Sequence, residues 1–389
     1  MSALIFFLLT FILALSPVAA QTPSIVTDSL LLTTNGAQDS VVLIDPDSGQ
    51  VQTFSLGNGI HTAWGFSPDG CRVLLTVMAG DGLARAYTTR LDGSDVLELV
   101  SYDEMPRAQW GVWEPTWSPA GDKIAFTLLR DGFEGSPERT YHIAWVSPDG
   151  GTPTFYSVTG QEHTPIWSSD GARLAYVSYE KRAAGARFDA TAEPDIATAT
   201  PPEAYLSEAD MWVVGADGTG KFRSTFFETG SVRAPRWSPS GERLSFVMSP
   251  SGNNDTLWVV RAESGAKPIQ VTYSYSLMLD HTWLPDSSAM LVSARGVNDI
   301  ATAALWTFPP ASGADNEAAL YAPLETLPYP DYPAFNPDGT RLALRSGYRV
   351  TVLEPNGRLT DFDGLGGNMP IYWSPKHLTS ADNCVDSPF

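Results

Sequence analysis

The sequence predicts an all-β chain, a seven-bladed β-propeller of four-stranded antiparallel blades, and three observations carry that expectation. First, an aromatic residue, a polar-Pro-Asp-Gly-like turn and an alternating apolar stretch recur in order: FSPDGCRVLL (66–75), WSPAGDKIAF (117–126), WSSDGARLAY (167–176), WSPSGERLSF (237–246), WLPDSSAMLV (283–292), FNPDGTRLAL (335–344) and, truncated, WSPKHL (373–378). Second, these anchors recur on average about every 51 residues from Phe66 to Trp373, near the length of one four-stranded blade. Third, a second series follows in phase, each copy a strand ending in a Gly turn: ARAYTTRLDG (84–93), YHIAWVSPDG (141–150), ADMWVVGADG (209–218), TLWVVRAESG (256–265), ALWTFPPASG (304–313) and RVTVLEPNG (349–357).

Each element has a local cause. Pro presets φ at the first corner of the turn, Asp or Ser hydrogen-bonds the local backbone, and Gly accepts positive φ, which together make a hairpin. The residues that follow, such as Lys123-Ile124-Ala125-Phe126 and Arg173-Leu174-Ala175-Tyr176, alternate polar or small with large apolar side chains, as strands in stacked sheets do. The ends complement each other. SVVLIDPDSG (40–49) is a third-strand copy with no anchor before it, and Trp373 is an anchor with no third strand after it. The N-terminus is therefore expected to supply three strands, near 29–34, 40–45 and 50–56, and Pro370–Ser374 the innermost strand of the same blade. That composite blade would close the ring and leave no open sheet edge.

At these repeats the chain resembles the β-propellers of the TolB family, over about residues 28–378, with a looser similarity to the amino-terminal propellers of prolyl-oligopeptidase-type peptidases. The resemblance implies a propeller and little about activity, because propellers host many functions. Two departures narrow it. No amino-terminal α/β domain is read before the repeats and seven blades are counted where TolB has six, so a role in the Tol system is not implied. The carboxy-terminal hydrolase domain of the peptidases is not read either, so peptidase activity is not implied.

Residues 1–20 read as a secretory leader, with an apolar run from Leu4 to Leu15 and the small residues Val18-Ala19-Ala20 before Gln21. They contain no Lys or Arg, so a cleaved leader and a retained anchor both stay open. The propeller is assigned to 21–378 and a C-terminal tail to 379–389. The mature chain is expected to be secreted or periplasmic, monomeric, and without stable membrane insertion once the leader is cleaved. With 24 Lys and Arg against 44 Asp and Glu, a formal charge of −20 disfavours nucleic acid and anionic membrane surfaces. Cationic, neutral or protein partners remain. Two cysteines, Cys71 and Cys384, suffice for one bridge in an oxidising compartment, clasping the closing strand to the first blade.

Chemistry is sparse. No Gly-x-Ser-x-Gly elbow or phosphate-binding glycine loop occurs, so no catalytic residue, metal ligand or cofactor is assigned. Asp45-Pro46-Asp47-Ser48-Gly49 and Asp361-Phe362-Asp363-Gly364 read as turns and strand ends rather than calcium loops. His61, His163 and His281 each precede Thr just upstream of an anchor aromatic. Whether they converge on a metal is left open, which keeps a metal-dependent carbohydrate lyase or hydrolase at the axial channel as the alternative, and a structural scaffold as a third reading. The favoured reading is non-enzymatic. Trp110, Trp113, Phe227, Tyr275 and Tyr332 are expected in connections that lead into inner strands, among acids including Asp103, Glu104, Glu114, Glu162, Glu228, Asp280 and Asp331. Aromatic anchors among acids suit a protein, peptide or glycan partner. The long Ala-, Thr- and Pro-rich stretch at 183–210 cannot build a core and reads as either a binding arm or a tolerated insertion.

Overall fold

The computed structural model describes residues 29–101, 110–130, 139–156, 161–183, 205–227, 230–249, 254–272, 277–295, 301–307, 319–320, 324, 327, 330–365 and 369–375. They form seven four-stranded antiparallel sheets, the blades of a β-propeller. Six sheets run in sequence order from an inner strand: Ile60–Phe66, Trp110–Trp117, Glu162–Trp167, Ser231–Trp237, Leu277–Trp283 and Pro330–Phe335 for the first to sixth. The closing sheet is composite. Its inner strand is Tyr372–Trp373, paired with Leu31–Thr34, followed outward by Val41–Ile44 and Val51–Phe54.

Every seam between neighbouring sheets is filled by an apolar cluster drawn from both. Leu74 meets Val112 and Phe126, and Ile143 meets Tyr176. Val213 meets Phe246, and Val259 meets Met290. Leu291 meets Leu344, and Val352 meets Leu31 and Trp373. Leu43 and Leu75 then join the closing sheet to the first, so the circuit has no open end. Because successive strand residues point to opposite faces, each blade offers one apolar face to each neighbour, which explains why the strands after the anchors are buried on both sides.

The repeated turn has a second role besides making a hairpin. In the turn of the second blade, a Cβ on Gly121 would lie 3.7 Å from Pro68 of the first, and one on Gly171 of the third would lie 3.4 Å from Pro119 of the second. Gly339 of the sixth blade approaches Pro285 of the fifth so closely that a Cβ would stand 2.6 Å from its ring. The turns therefore nest, one blade's proline on the next blade's glycine. The anchors staple other seams: Trp237 Nε1 donates to Ile166 O at 3.1 Å, Trp283 Nε1 to Ser245 Oγ at 2.8 Å, and Trp373 Nε1 to Ala334 O at 2.8 Å.

Closure rests on few groups. Leu31 and Leu32 pair with Trp373 and Tyr372, Ser374 N donates to Leu30 O at 2.8 Å, and Leu30 N donates to Ser374 Oγ at 2.9 Å. Arg345 of the sixth blade adds four bonds across the junction, to Met369 O, Leu365 O, Thr33 Oγ1 and Thr34 O. Trp373→Ala removes a seam filler and a staple together and is expected to destabilise the chain by about 3–5 kcal/mol. Ending the chain at Pro370 is expected to lower the melting temperature in one cooperative transition. A truncated chain that melts with the full one would contradict closure by this strand.

Candidate functional site

The inner strands surround the axis, and six of them carry a register shift: between Ala63 and Gly65, Trp113 and Thr116, His163 and Ile166, Arg233 and Arg236, Met278 and Asp280, and Asp331 and Ala334. In four blades the bulged residue is non-glycine at positive φ and directly precedes proline: Glu114 at 52°, Thr164 at 57°, Ala234 at 48° and Tyr332 at 48°. Such a conformation costs on the order of 1–3 kcal/mol and re-aims the side chain. The sequence carries a signal for it, a proline two residues before the anchor at Pro115, Pro165, Pro235 and Pro333.

Most inner-strand acids expected on the binding face are committed inside the ring. Glu114 accepts from Thr127 Oγ1, Thr164 N and Thr164 Oγ1, at 3.2, 2.8 and 3.0 Å, bridging the second blade to the third. Since Thr164 gives its one hydroxyl proton to Glu114, it accepts from His163 Nδ1 at 2.8 Å, which leaves the lone pair of that imidazole on Nε2. Asp280 takes Arg236 Nη2 on both oxygens at 2.8 Å, bridging the fifth blade to the fourth. Surrounding protein disfavours the Arg236 charge, but Asp280 more than offsets this and holds the guanidinium above its usual range. Glu162 is buried, and Asp103, Glu104 and Glu228 lie outside the described residues.

Asp331 differs. Burial, with Asp280 nearby, pushes its carboxyl up to about 6, and its one hydrogen bond is from Tyr332 N at 2.8 Å. Tyr372 of the closing blade reaches the same region: burial raises its phenol, and Arg236, Asp280, Glu114 and Tyr332 all act on it electrostatically. Five blades thus contribute to one axial cluster. Arg236 lies within it and keeps 40% of its side-chain surface accessible.

The three histidines are held apart. His61 is buried, accepting Leu56 N at 3.0 Å on Nε2 with Nδ1 against Gly59 O. His163 stacks on Tyr179 at 4.9 Å, and His281 pairs with Ser245 Oγ at 2.8 Å. Burial, then Arg236 and Arg233, keeps His281 well below the usual imidazole range. Among the described residues no group of three or more His, Cys, Asp or Glu is placed to hold a metal.

The predicted aromatics divide. Trp110 and Trp113 lie within the second inner strand rather than in the connection before it. Trp110 packs on the first seam under Arg130, and Phe227 fills the seam beside Phe246 and Trp258, so both serve the core. Trp113 is 38% exposed, Tyr332 is half-buried at its bulge, and Tyr275 lies outside the described residues. Of the exposed large apolar residues, Ile60, Trp113, Tyr179, Leu277 and Tyr348 lie on inner or second strands or the hairpin after them, the last 87% exposed at a hairpin tip, while Val51, Val96, Phe155 and Ile269 lie on or beside outermost strands. The third blade extends the 11-residue strands Arg173–Ala183 and Tyr205–Gly215, so 205–210 of the stretch expected to build no core is paired strand, with Ala209 and Asp210 buried.

The fold and its axial site define a β-propeller with an elaborated end. No family profile matches the chain. An uncharacterized protein of Agrobacterium fabrum is 31% identical over 152 residues, 37% of this chain; the match spans 50% of that relative's length. Among solved structures, an oligogalacturonate lyase from Vibrio parahaemolyticus is 13% identical, aligned over 82% of this chain and 88% of that one, with a TM-score of 0.53. TolB from Acinetobacter baumannii is 14% identical, aligned over 88% and 82%, with a TM-score of 0.47. TolB-like propellers thus stand among the structures similar to this chain, and at these identities the likeness concerns the fold.

The two neighbouring axial carboxylates should respond oppositely to neutralisation. Asp280→Asn leaves Arg236 unpaired and is expected to destabilise by about 1–3 kcal/mol, discounted because Arg236 is partly solvated. A carboxyl raised to about 6 when folded, against 3.8 unfolded, makes stability fall as pH rises through that window. Asp331→Asn is therefore expected to stabilise by about 1–2 kcal/mol at pH 7, after allowance for screening, with no gain below pH 4. Melting curves of both variants at pH 4 and 7 check the signs.

Proposed function

We propose that this chain is an exported, monomeric, seven-bladed binding propeller that recruits a protein, peptide or glycan at the end of the ring bearing Trp113, Tyr348 and the long hairpin of the third blade. One observation carries this reading. Ile60, Trp113, Tyr179, Leu277 and Tyr348 come from five different blades and stay exposed on inner or second strands or the hairpin after them, beyond what the seams require. Scattered single apolar residues need no explanation, whereas a gathering at one end is what interaction sites present. The acidic balance favours a cationic or neutral partner. The lyase alternative would need converging ligands, and His61, His163 and His281 are each engaged within a separate local network. Of the described residues, no helix is long and apolar enough to cross a membrane.

Export also underlies the proposed bridge. Cys71 sits in the turn after the first inner strand, with its N–H on Asp69 Oδ1 at 3.0 Å, and Cys384 lies outside the described residues. Titration of the denatured, unreduced chain should find no thiols; two per chain would remove the bridge from the reading.

The binding reading is tested with Trp113→Ala/Tyr348→Ala. A partner captured by the mature chain from envelope or culture fluid should bind this variant at least about tenfold more weakly, as loss of exposed aromatic anchors does, with an unchanged melting temperature. Undiminished capture would overturn the assignment of this end.

A further inference from the structure

We propose that the seam between the fourth and fifth blades is a proton-operated joint: uptake of a proton by His281 parts the fifth inner strand from the fourth blade. This is a property of the ring itself, separate from the binding end proposed above.

Polar groups clip the fifth inner strand, Leu277–Trp283, to the fourth blade along most of its length. Met278 N donates to Asp255 Oδ2 at 2.7 Å, and Met278 O accepts from Arg233 Nη2 at 3.0 Å. Asp280 takes Arg236 Nη2 on both oxygens at 2.8 Å. His281 Nε2 lies 2.8 Å from Ser245 Oγ, and Trp283 Nε1 donates to the same oxygen at 2.8 Å. His281 and Trp283 stand two apart on one strand and so reach the fourth blade from one face.

Counting donors assigns the protons. Ser245 Oγ accepts from the indole and has one proton to give, for which Arg236 O lies at 3.3 Å. With that proton on Arg236 O, His281 Nε2–H donates to Ser245 and every donor in the group is satisfied, which leaves the imidazole lone pair on Nδ1. Nδ1 has no hydrogen-bond partner among the described residues, and His281 is 0% exposed. A proton on Nδ1 therefore meets no protein acceptor and no bulk solvent while the seam is shut, the most costly setting for a charged donor.

The charges around it offer no compensation. Arg233 and Arg236 of the fourth inner strand are matched by Asp255 of the fourth blade and Asp280 of the fifth, so these groups sum to zero only while His281 is neutral. Its cross-strand partner in its own blade, Val292, carries no charge. From farther round the ring, Asp331 and Tyr332 of the sixth blade and Tyr372 of the closing blade act on Asp280 or Arg236, which already hold each other. Burial, and then the two arginines, accordingly disfavour the imidazolium. The charged ring is solvated once it leaves the seam, and the strand that carries it out also carries the Trp283 staple. An unfolded chain takes this proton at about 6.5 and the closed seam does not, so stability is lost as pH falls below that value.

The test compares the full chain with His281→Gln, which keeps a side-chain donor for Ser245 and takes no proton, by chemical denaturation between pH 8 and pH 5. The folded-to-unfolded ratio of the parent should fall about thirtyfold more than that of the variant, the factor for a histidine that is neutral when folded and titrates at about 6.5 when unfolded. Asp331 acts in the opposite sense and His142 and His163 in the same sense, and all three are common to both chains. Amide exchange of the parent reads the seam without a variant: protection of Leu277–Trp283 relative to Ile124–Arg130 of the second blade should fall at least about tenfold between pH 7 and pH 5. The same acid dependence in parent and variant, or a relative protection that does not change with pH, would overturn the proposal.

Discussion

Two residues, Tyr372 and Trp373, decide whether the seven sheets make a ring or a row. Among the described residues their pairing with Leu32 and Leu31 is the one strand pairing that joins the far end of the chain to the near end, and every other strand pairs with a sequence neighbour. A blade interface left open would expose both an apolar face and a sheet edge, so the closing strand protects two neighbours at once. Arg345 depends on the same event. Its four acceptors, at Thr33, Thr34, Leu365 and Met369, come together only when the ring is shut.

That commitment has an electrostatic consequence at the axis. Because Arg345 serves closure and Arg236 serves the seam between fourth and fifth blades, neither neutralises Asp331. The charge left over follows from how the ring is held, and it lies at the bulge, where Tyr332 N donates to Asp331 Oδ1 at 2.8 Å. Fold and site are linked in this way. The groups that close the propeller leave Asp331 without an ion pair at the axis.

Much of the architecture was legible because it repeats. The aromatic anchor and its turn name each inner strand, and the orphan copies at 40–49 and 373–378 point to the composite sheet that the pairing of Leu31 with Trp373 displays. The site was less legible, for physical reasons. Acids near inner strands look like a charged surface in sequence, yet Glu114 and Asp280 reach sideways into a neighbouring blade, a contact set by ring geometry and invisible to local pattern. Phe227 and Trp110 read as free aromatics because nothing local shows the neighbouring blade they pack on. The bulges were readable in principle from Pro115, Pro165, Pro235 and Pro333, whose spacing from the anchor is constant.

The dependence of the whole ring on one short strand is most directly tested by native-state hydrogen exchange at the amides of Leu30 and Ser374, which bond to each other's segment at 2.9 and 2.8 Å. If closure is integral to the fold, both amides open only with the global unfolding free energy and lose protection together with core amides such as that of Phe126. Exchange of Ser374 through local fraying, at a free energy well below that of Phe126, would contradict it.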